Sequence, residues 1–188
     1  GGLDPDLRQE SVAALVALDF PGYAVGGLSV GEGPDAMQGA VTATVPHLPA
    51  DRPRYLMGVG QPRDIVAAVA AGIDMFDCVL PTRCGRNSLI YTFAGPLRLR
   101  NSCHAADQRP LEDGCPCIAC RHSRSYLRHL FLAGEMLGPV LASIHNLTFY
   151  QRLVARLREA ILTGRFAETA AAVVAVWPVA GEQQAAGG

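Results

Sequence analysis

The chain has 188 residues, 49% of them apolar, and a mean hydropathy of +0.18, so it can bury a sizeable core and is not disordered by composition. No apolar run approaches the roughly 20 residues that a membrane helix needs, and the first residues hold neither a basic segment nor an apolar signal core. The sequence therefore predicts a cytoplasmic protein with no membrane partner. The net charge of −1 hides an asymmetry, because all 16 basic residues are arginine. Residues 1–82 hold four arginines against ten acids, residues 83–128 eight against three, and residues 129–188 four of each. A locally basic middle suits a phosphate-rich partner, since guanidinium forks pair with phosphate oxygens; its bland alternative is a solvated face laced with ion pairs.

In chain order, apolar residues recur at helical spacing over 7–18, 35–45 and 62–71. Between them lie short apolar runs that end at glycine or an acid: Tyr23-Ala24-Val25-Gly26-Gly27, Tyr55-Leu56-Met57-Gly58-Val59 and the stretch 73–79. Helix and strand alternate, and the strands are too apolar for a half-exposed antiparallel sheet, which predicts an α/β fold of parallel βα units. Such folds place their sites at the C-terminal ends of the strands. Only three units are present, and the chain opens without methionine, as if it were part of something longer. A proline-, arginine- and cysteine-rich stretch follows over 81–120, with short strands expected at 88–93 and 97–100. Helices are expected over 123–133, 135–143 and 148–162, and then an alanine-rich tail, 167–188, that is expected to be poorly ordered.

Cys115, Cys117 and Cys120 form a Cys-x-Cys-x2-Cys knuckle. Cysteines this close cannot all pair with one another, whereas three thiolates and one imidazole close a tetrahedral zinc site with no open position for a reacting water. The imidazole can come from His145, with His104, His122 and His129 also in range. Cys78, Cys84 and Cys103 fit no ligand spacing and read as packing residues.

Asp77 stands at the end of the third apolar run, where a carboxylate at a strand terminus can serve as a nucleophile; a salt bridge to Arg83 or Arg86 is the alternative. Asp74 precedes the strand and reads as a loop residue. The segment Gly26-Gly27-Leu28-Ser29-Val30-Gly31-Glu32 lacks the lysine and the glycine spacing of a phosphate loop, which leaves a backbone able to approach a flat ligand.

Taken together, the segments 26–32, 53–60 and 74–83 and the Cys3His set resemble the bacterial tRNA-guanine transglycosylases, in order and spacing over residues 1–166. That family's fold is a (β/α)8 TIM barrel with an inserted zinc-binding subdomain. The resemblance implies that this chain is the C-terminal half. Residues 1–82 would be the last three βα units, 83–147 the arginine-rich zinc insert and 148–166 a closing barrel helix.

The activity implied is exchange of guanine 34 in tRNAs with a GUN anticodon for preQ1, a step of queuosine biosynthesis. Asp77 matches the nucleophile, which leaves a covalent aspartyl-RNA intermediate, and a second displacement gives net retention. A second aspartate, expected as general acid/base, would lie in the other half, so the half alone is expected to be inactive. Gly27, Leu28 and Met57 match positions that bind the base, and Glu32 buttresses that peptide. Gly58, Val59, Gly60, Gln61, Pro62, Arg63 and Asp64, and Thr82, Arg83, Cys84, Gly85 and Arg86, match RNA-contacting loops. Cys115, Cys117, Cys120 and His145 match the ligands of one structural Zn2+. Val30 favours preQ1 over the bulkier queuine, and Ser88 stands where the family pattern has glycine. The partners implied are the tRNA anticodon loop, preQ1 or guanine, and a second copy in a homodimer. The alternative is a non-catalytic tRNA-binding or scaffold paralogue.

Overall fold

Asp4 opens the first helix by accepting hydrogen bonds at Oδ1 from the N–H groups of Asp6 and Leu7, at 3.0 and 3.1 Å, while Pro5 occupies the first turn, where its missing N–H costs nothing. The computed structural model describes residues 2–178, which divide into two compact units, one ending at Cys78 and the other beginning at Val79. In the first, α1 (Pro5–Val16), α2 (Pro34–Thr44) and α3 (Pro62–Ala70) alternate with β1 (Tyr23–Val25), β2 (Arg54–Leu56) and β3 (Met75–Phe76). All three helices have proline in their first turn. The strands are parallel in the order β1-β2-β3, with Ala24 opposite Tyr55 and Leu56 opposite Phe76.

Side chains alternate across these strands. Tyr23, Val25 and Leu56 turn to a core shared with Val41, Val45 and Ile73, against which Phe76 packs. Ala24, Met57, Met75 and Asp77 lie exposed on the other face, with Tyr55 half-buried among them. Parallel sheets are as a rule covered on both faces, so the open one stands out. At the opposite end of the sheet, the Arg54 guanidinium satisfies three carbonyls, those of Leu48, Pro49 and Gly72, at 3.0–3.3 Å.

The second unit holds α4 (Leu80–Arg86), the antiparallel hairpin of β4 (Leu89–Thr92) and β5 (Gly95–Arg98), α5 (Arg124–Leu132), α6 (Leu137–Leu162) and α7 (Phe166–Val176). Ile90, Leu99, Leu111, Leu127, Phe131 and Leu141 form its core. Beside it Tyr91 stacks on Trp177 at 4.7 Å, with Phe149 and Tyr150 adjoining.

Four differences from the sequence-based expectation have physical causes. The third strand pairs only over Met75–Phe76, because Asp74 turns its carboxylate to the N–H of Arg54 (2.9 Å) and Asp77 is held by side-chain and loop partners. Residues 82–86, expected as loop, belong to α4: Pro81 falls in the first turn, and Gly85 lets the helix approach α6 so closely that a Cβ there would lie 2.9 Å from the N of Ser143. The two helices expected at 135–143 and 148–162 are one, since the intervening His145 and Asn146 are fully buried and bonded rather than loop residues. The tail expected from residue 167 begins as α7, anchored by Trp177, whose Nε1–H donates to the Thr92 carbonyl at 3.3 Å. Residues 179–188 of that tail lie outside the described residues.

Candidate active site and metal centre

At the C-terminal ends of β1, β2 and β3 the chain brings together five residues that the motifs singled out: Gly27, Leu28, Met57, Gly58 and Asp77. Asp77 directly follows β3 and is exposed. Its Oδ1 accepts two hydrogen bonds, from the Tyr55 hydroxyl at 2.6 Å and from the N–H of Gly58 at 2.9 Å. Both favour the ionised form. The Tyr55 hydroxyl first, then the Gly58 N–H, hold the carboxyl below the usual aspartate value, and donation to Asp77 pushes the Tyr55 phenol up. Among the described residues Asp77 takes part in no ion pair, so its partners are hydrogen-bond donors rather than an arginine.

Met57 continues the ladder, its N–H donating to the Val25 carbonyl at 3.2 Å, and its sulfur lies 3.2 Å from where a Cβ on Gly26 would stand. Glycine at 26 therefore lets the thioether lie against the backbone at the end of β1. Gly27 and Gly58 have φ of 68° and 76°, in the left-handed region open to glycine. Leu28 is buried beneath the turn that follows. Glu32 closes that turn, accepting from the N–H groups of Ser29 and Val30, and hydrogen bonding from its own N–H first, then from those of Ser29 and Val30, draws its carboxyl down. Val30 is 81% exposed.

In the segment 58–64, Val59, Gly60 and Pro62 are buried, while Gly58 and Gln61 are exposed. Arg63 pairs with Asp64 at 3.4 Å, and burial pushes the Asp64 carboxyl up. On α4, Arg83 and Arg86 are exposed, Thr82 is half-buried, and Cys84 turns its sulfur to the Tyr91 hydroxyl at 3.5 Å. Gly85 is buried against Ser143. Of the arginines in 83–128, Arg109 and Arg124 are drawn to Asp107, at 2.8 and 3.3 Å, whereas Arg83, Arg86, Arg98, Arg100, Arg121 and Arg128 have no acidic partner among the described residues.

The second unit carries a candidate metal centre. Cys115, Cys117, Cys120 and His145 converge, with ligand atoms all within 4.8 Å of one another. His145 Nδ1 stands 3.7, 3.5 and 3.3 Å from the sulfurs of Cys115, Cys117 and Cys120. Its Nε2 faces the Tyr91 carbonyl at 3.0 Å, which as an acceptor fixes the proton on Nε2 and leaves the Nδ1 lone pair for a metal. Three crowded thiols cannot all ionise unaided. Hydrogen bonding from Cys120 pulls the Cys117 thiol well down, while its bond to Cys117 pushes Cys120 up and burial pushes Cys115 up. A cation among them is what would stabilise three thiolates at once.

Two residues escaped the sequence motifs. Tyr55 is signalled only by parity, two positions before Met57 on the same strand face. Asn146, buried beside His145, takes the N–H of Tyr91 at Oδ1 and donates to the carbonyls of Pro81 and Leu89, at 2.9–3.0 Å, so one amide ties α4, β4 and α6 together.

The family model described as queuine tRNA-ribosyltransferase matches residues 1–179. The chain is 56% identical over 178 residues to the queuine tRNA-ribosyltransferase of Gluconacetobacter diazotrophicus, covering 94% of this chain and 46% of that protein. It is 56% identical over 172 residues to that of Novosphingobium aromaticivorans, and 58% identical over 165 residues to that of Aromatoleum aromaticum. In these matches 91% and 87% of this chain are covered, and 46% and 45% of the relatives, so the chain spans about half the length of the curated relatives it matches. With the family model matched along nearly its whole length, the chain belongs to the queuine tRNA-ribosyltransferase family.

Proposed function

We propose that this chain carries the nucleophile and the structural metal centre of a tRNA-guanine transglycosylase that exchanges guanine 34 of GUN-anticodon tRNAs for preQ1. The observation that carries the reading is Asp77: a carboxylate at the end of a parallel strand, ionised by two donors on Oδ1, beside the glycine-lined end of β1 and the thioether of Met57. In the first displacement a carboxylate oxygen bonds to C1′ of the ribose as C1′–N9 breaks. The electron pair, and then a proton from a second carboxyl outside this chain, go to the departing guanine. The incoming base then displaces Asp77, with net retention.

The base would lie between Met57 and the peptide of Gly27 and Leu28, whose turn Glu32 closes. The exposed side chain of Val30 narrows this mouth, which favours the smaller preQ1. The segment 58–64 and the α4 residues Thr82, Arg83 and Arg86 would face the anticodon loop, Cys84 and Gly85 acting through packing. The open face of the parallel sheet supports a (β/α)8 barrel whose remaining strands would cover it. A homodimer and a cytoplasmic location belong to the same reading; among the described residues no helix is long and apolar enough to cross a membrane.

The metal is zinc and its role structural. A tetrahedral site with Zn–S of about 2.3 Å and Zn–N of about 2.0–2.1 Å has S···N edges of about 3.6 Å, which the separations of 3.3–3.7 Å match. Cys115, Cys117, Cys120 and His145 would fill all four positions. When bound, the ion supplies charge to hold three thiolates together and no open position for water.

With the rest of the barrel supplied from the Gluconacetobacter diazotrophicus relative, labelled guanine is expected to enter a GUN-anticodon tRNA, and Asp77→Ala to abolish both the exchange and an RNA adduct on denaturing gels. Metal and tRNA binding without exchange in either protein would point instead to the non-catalytic tRNA-binding scaffold.

A further inference from the structure

The two donors to Asp77 converge on one oxygen. Tyr55 and Gly58 both reach Oδ1, at 2.6 and 2.9 Å, and the only further donor that acts on the carboxyl among the described residues is the N–H of Asp77 itself. The sheet register accounts for the meeting: Tyr55 is paired with Met75, so Tyr55 and Asp77, two residues after Met75 and just past the end of β3, lie on the same face. Gly58 completes it, its φ of 76° turning the N–H toward the carboxylate. A phenol at the open face of a sheet has water available; here it is committed to a carboxylate.

Resting on the reading of Asp77 as nucleophile, we propose that Tyr55 is a positioning residue that leaves Oδ2 as the attacking atom and controls how readily the carboxylate departs from C1′ in the second displacement. In the first step the Oδ2–C1′ bond forms, C1′–N9 breaks, and the electron pair leaves with the base. Oδ1 becomes the carbonyl oxygen of a neutral ester. In the second step N9 of the incoming base bonds to C1′ and gives up its proton to the general base. The C1′–Oδ2 bond breaks and its electron pair returns charge to the carboxylate.

Donors to Oδ1 interact most strongly when that charge is present. They therefore stabilise the free carboxylate relative to the ester, restraining attack and favouring departure. The lowered carboxyl and raised phenol agree with this. Loss of the Tyr55 hydroxyl should thus leave the ester easy to form and slow to resolve. A residue that merely supports the fold would not have this signature.

The test is Tyr55→Phe in the completed barrel, with three readouts: the fraction of enzyme held as RNA adduct at steady state, the single-turnover rate of adduct formation, and the pH profile of kcat/KM. We expect the adduct fraction to rise by about threefold or more while kcat falls about tenfold, the scale of one hydrogen bond to a charged group. Adduct formation should be no slower than in the parent, and the acid limb should move to higher pH. An unchanged adduct fraction and acid limb, or an adduct fraction that falls with the folded fraction seen by circular dichroism, would overturn the proposal while leaving Asp77 as nucleophile. If the parent forms no adduct, or Asp77→Ala still forms one, the nucleophile reading fails first and this inference with it.

Discussion

His145 offers Nδ1 to three sulfurs because its Nε2 is bound to the carbonyl of Tyr91, 3.0 Å away in the middle of β4. The metal centre and the hairpin thus share one imidazole. Removing the metal with a chelator, or replacing His145 with alanine, should lower the stability of the second unit by more than about 5 kcal/mol, given the size of structural zinc contributions. Elemental analysis should find about one zinc per chain in the parent, and thermal melting should report the loss; a parent that melts identically with and without chelator would contradict the structural role.

Glu32 gives a prediction in pH. Its carboxyl is drawn below the usual glutamate value by hydrogen bonds from the backbone of its own turn. The turn's stabilisation is therefore fully present above the unfolded value near 4.5 and is lost as pH falls through the lowered folded value. Amide exchange at Ser29 and Val30 should stay slow down to that range and quicken below it. In Glu32→Gln it should be faster throughout and largely indifferent to pH in that window, apart from intrinsic exchange.

Gly85 should be intolerant of even a methyl group. Alanine is the better helix former by about 1 kcal/mol, yet its Cβ would meet the backbone of Ser143 at 2.9–3.0 Å. We expect overpacking to win, with Gly85→Ala destabilising by about 1–3 kcal/mol in denaturant unfolding. Gly39, whose Cβ would meet nothing within 4 Å, is the control, and alanine there should be neutral or stabilising.

Ser88 has a φ of 61°, a conformation that costs a side-chain-bearing residue about 1–2 kcal/mol. Ser88→Gly should raise the melting temperature, by less than this full cost because the Oγ bond to the Asn87 carbonyl, 2.6 Å, is lost with it.

What could be read from the sequence follows the range of the forces involved. The βα alternation and the Cys-x-Cys-x2-Cys knuckle rest on local patterns, and α1, α2, α3 and α5 are legible in the same way, whereas the fourth ligand, His145, was selected among four histidines only by the family resemblance. α4 was not, because Pro81 and Gly85 both look like breakers until one knows that the first sits in an opening turn and the second faces Ser143. The continuity of α6 depends on His145 and Asn146, polar residues whose partners at Pro81, Leu89 and Tyr91 lie over 50 residues away in sequence. Tyr55 was missed for a related reason: its importance lies in a register with β3 that no spacing within β2 encodes.

That register has a consequence for how the protein can change. Along β2 and β3 and the residue that follows each, odd-numbered positions, Tyr55, Met57, Met75 and Asp77, lie on the open face, and even-numbered ones, Leu56 and Phe76, meet the core under the helices. A deep mutational scan scored once for solubility and once for turnover should show a two-beat pattern, each score sensitive where the other is tolerant. Selection can then act on the open face and on the core through interleaved but separate sets of codons, so the exposed face can be retuned while the support beneath it stays unaltered.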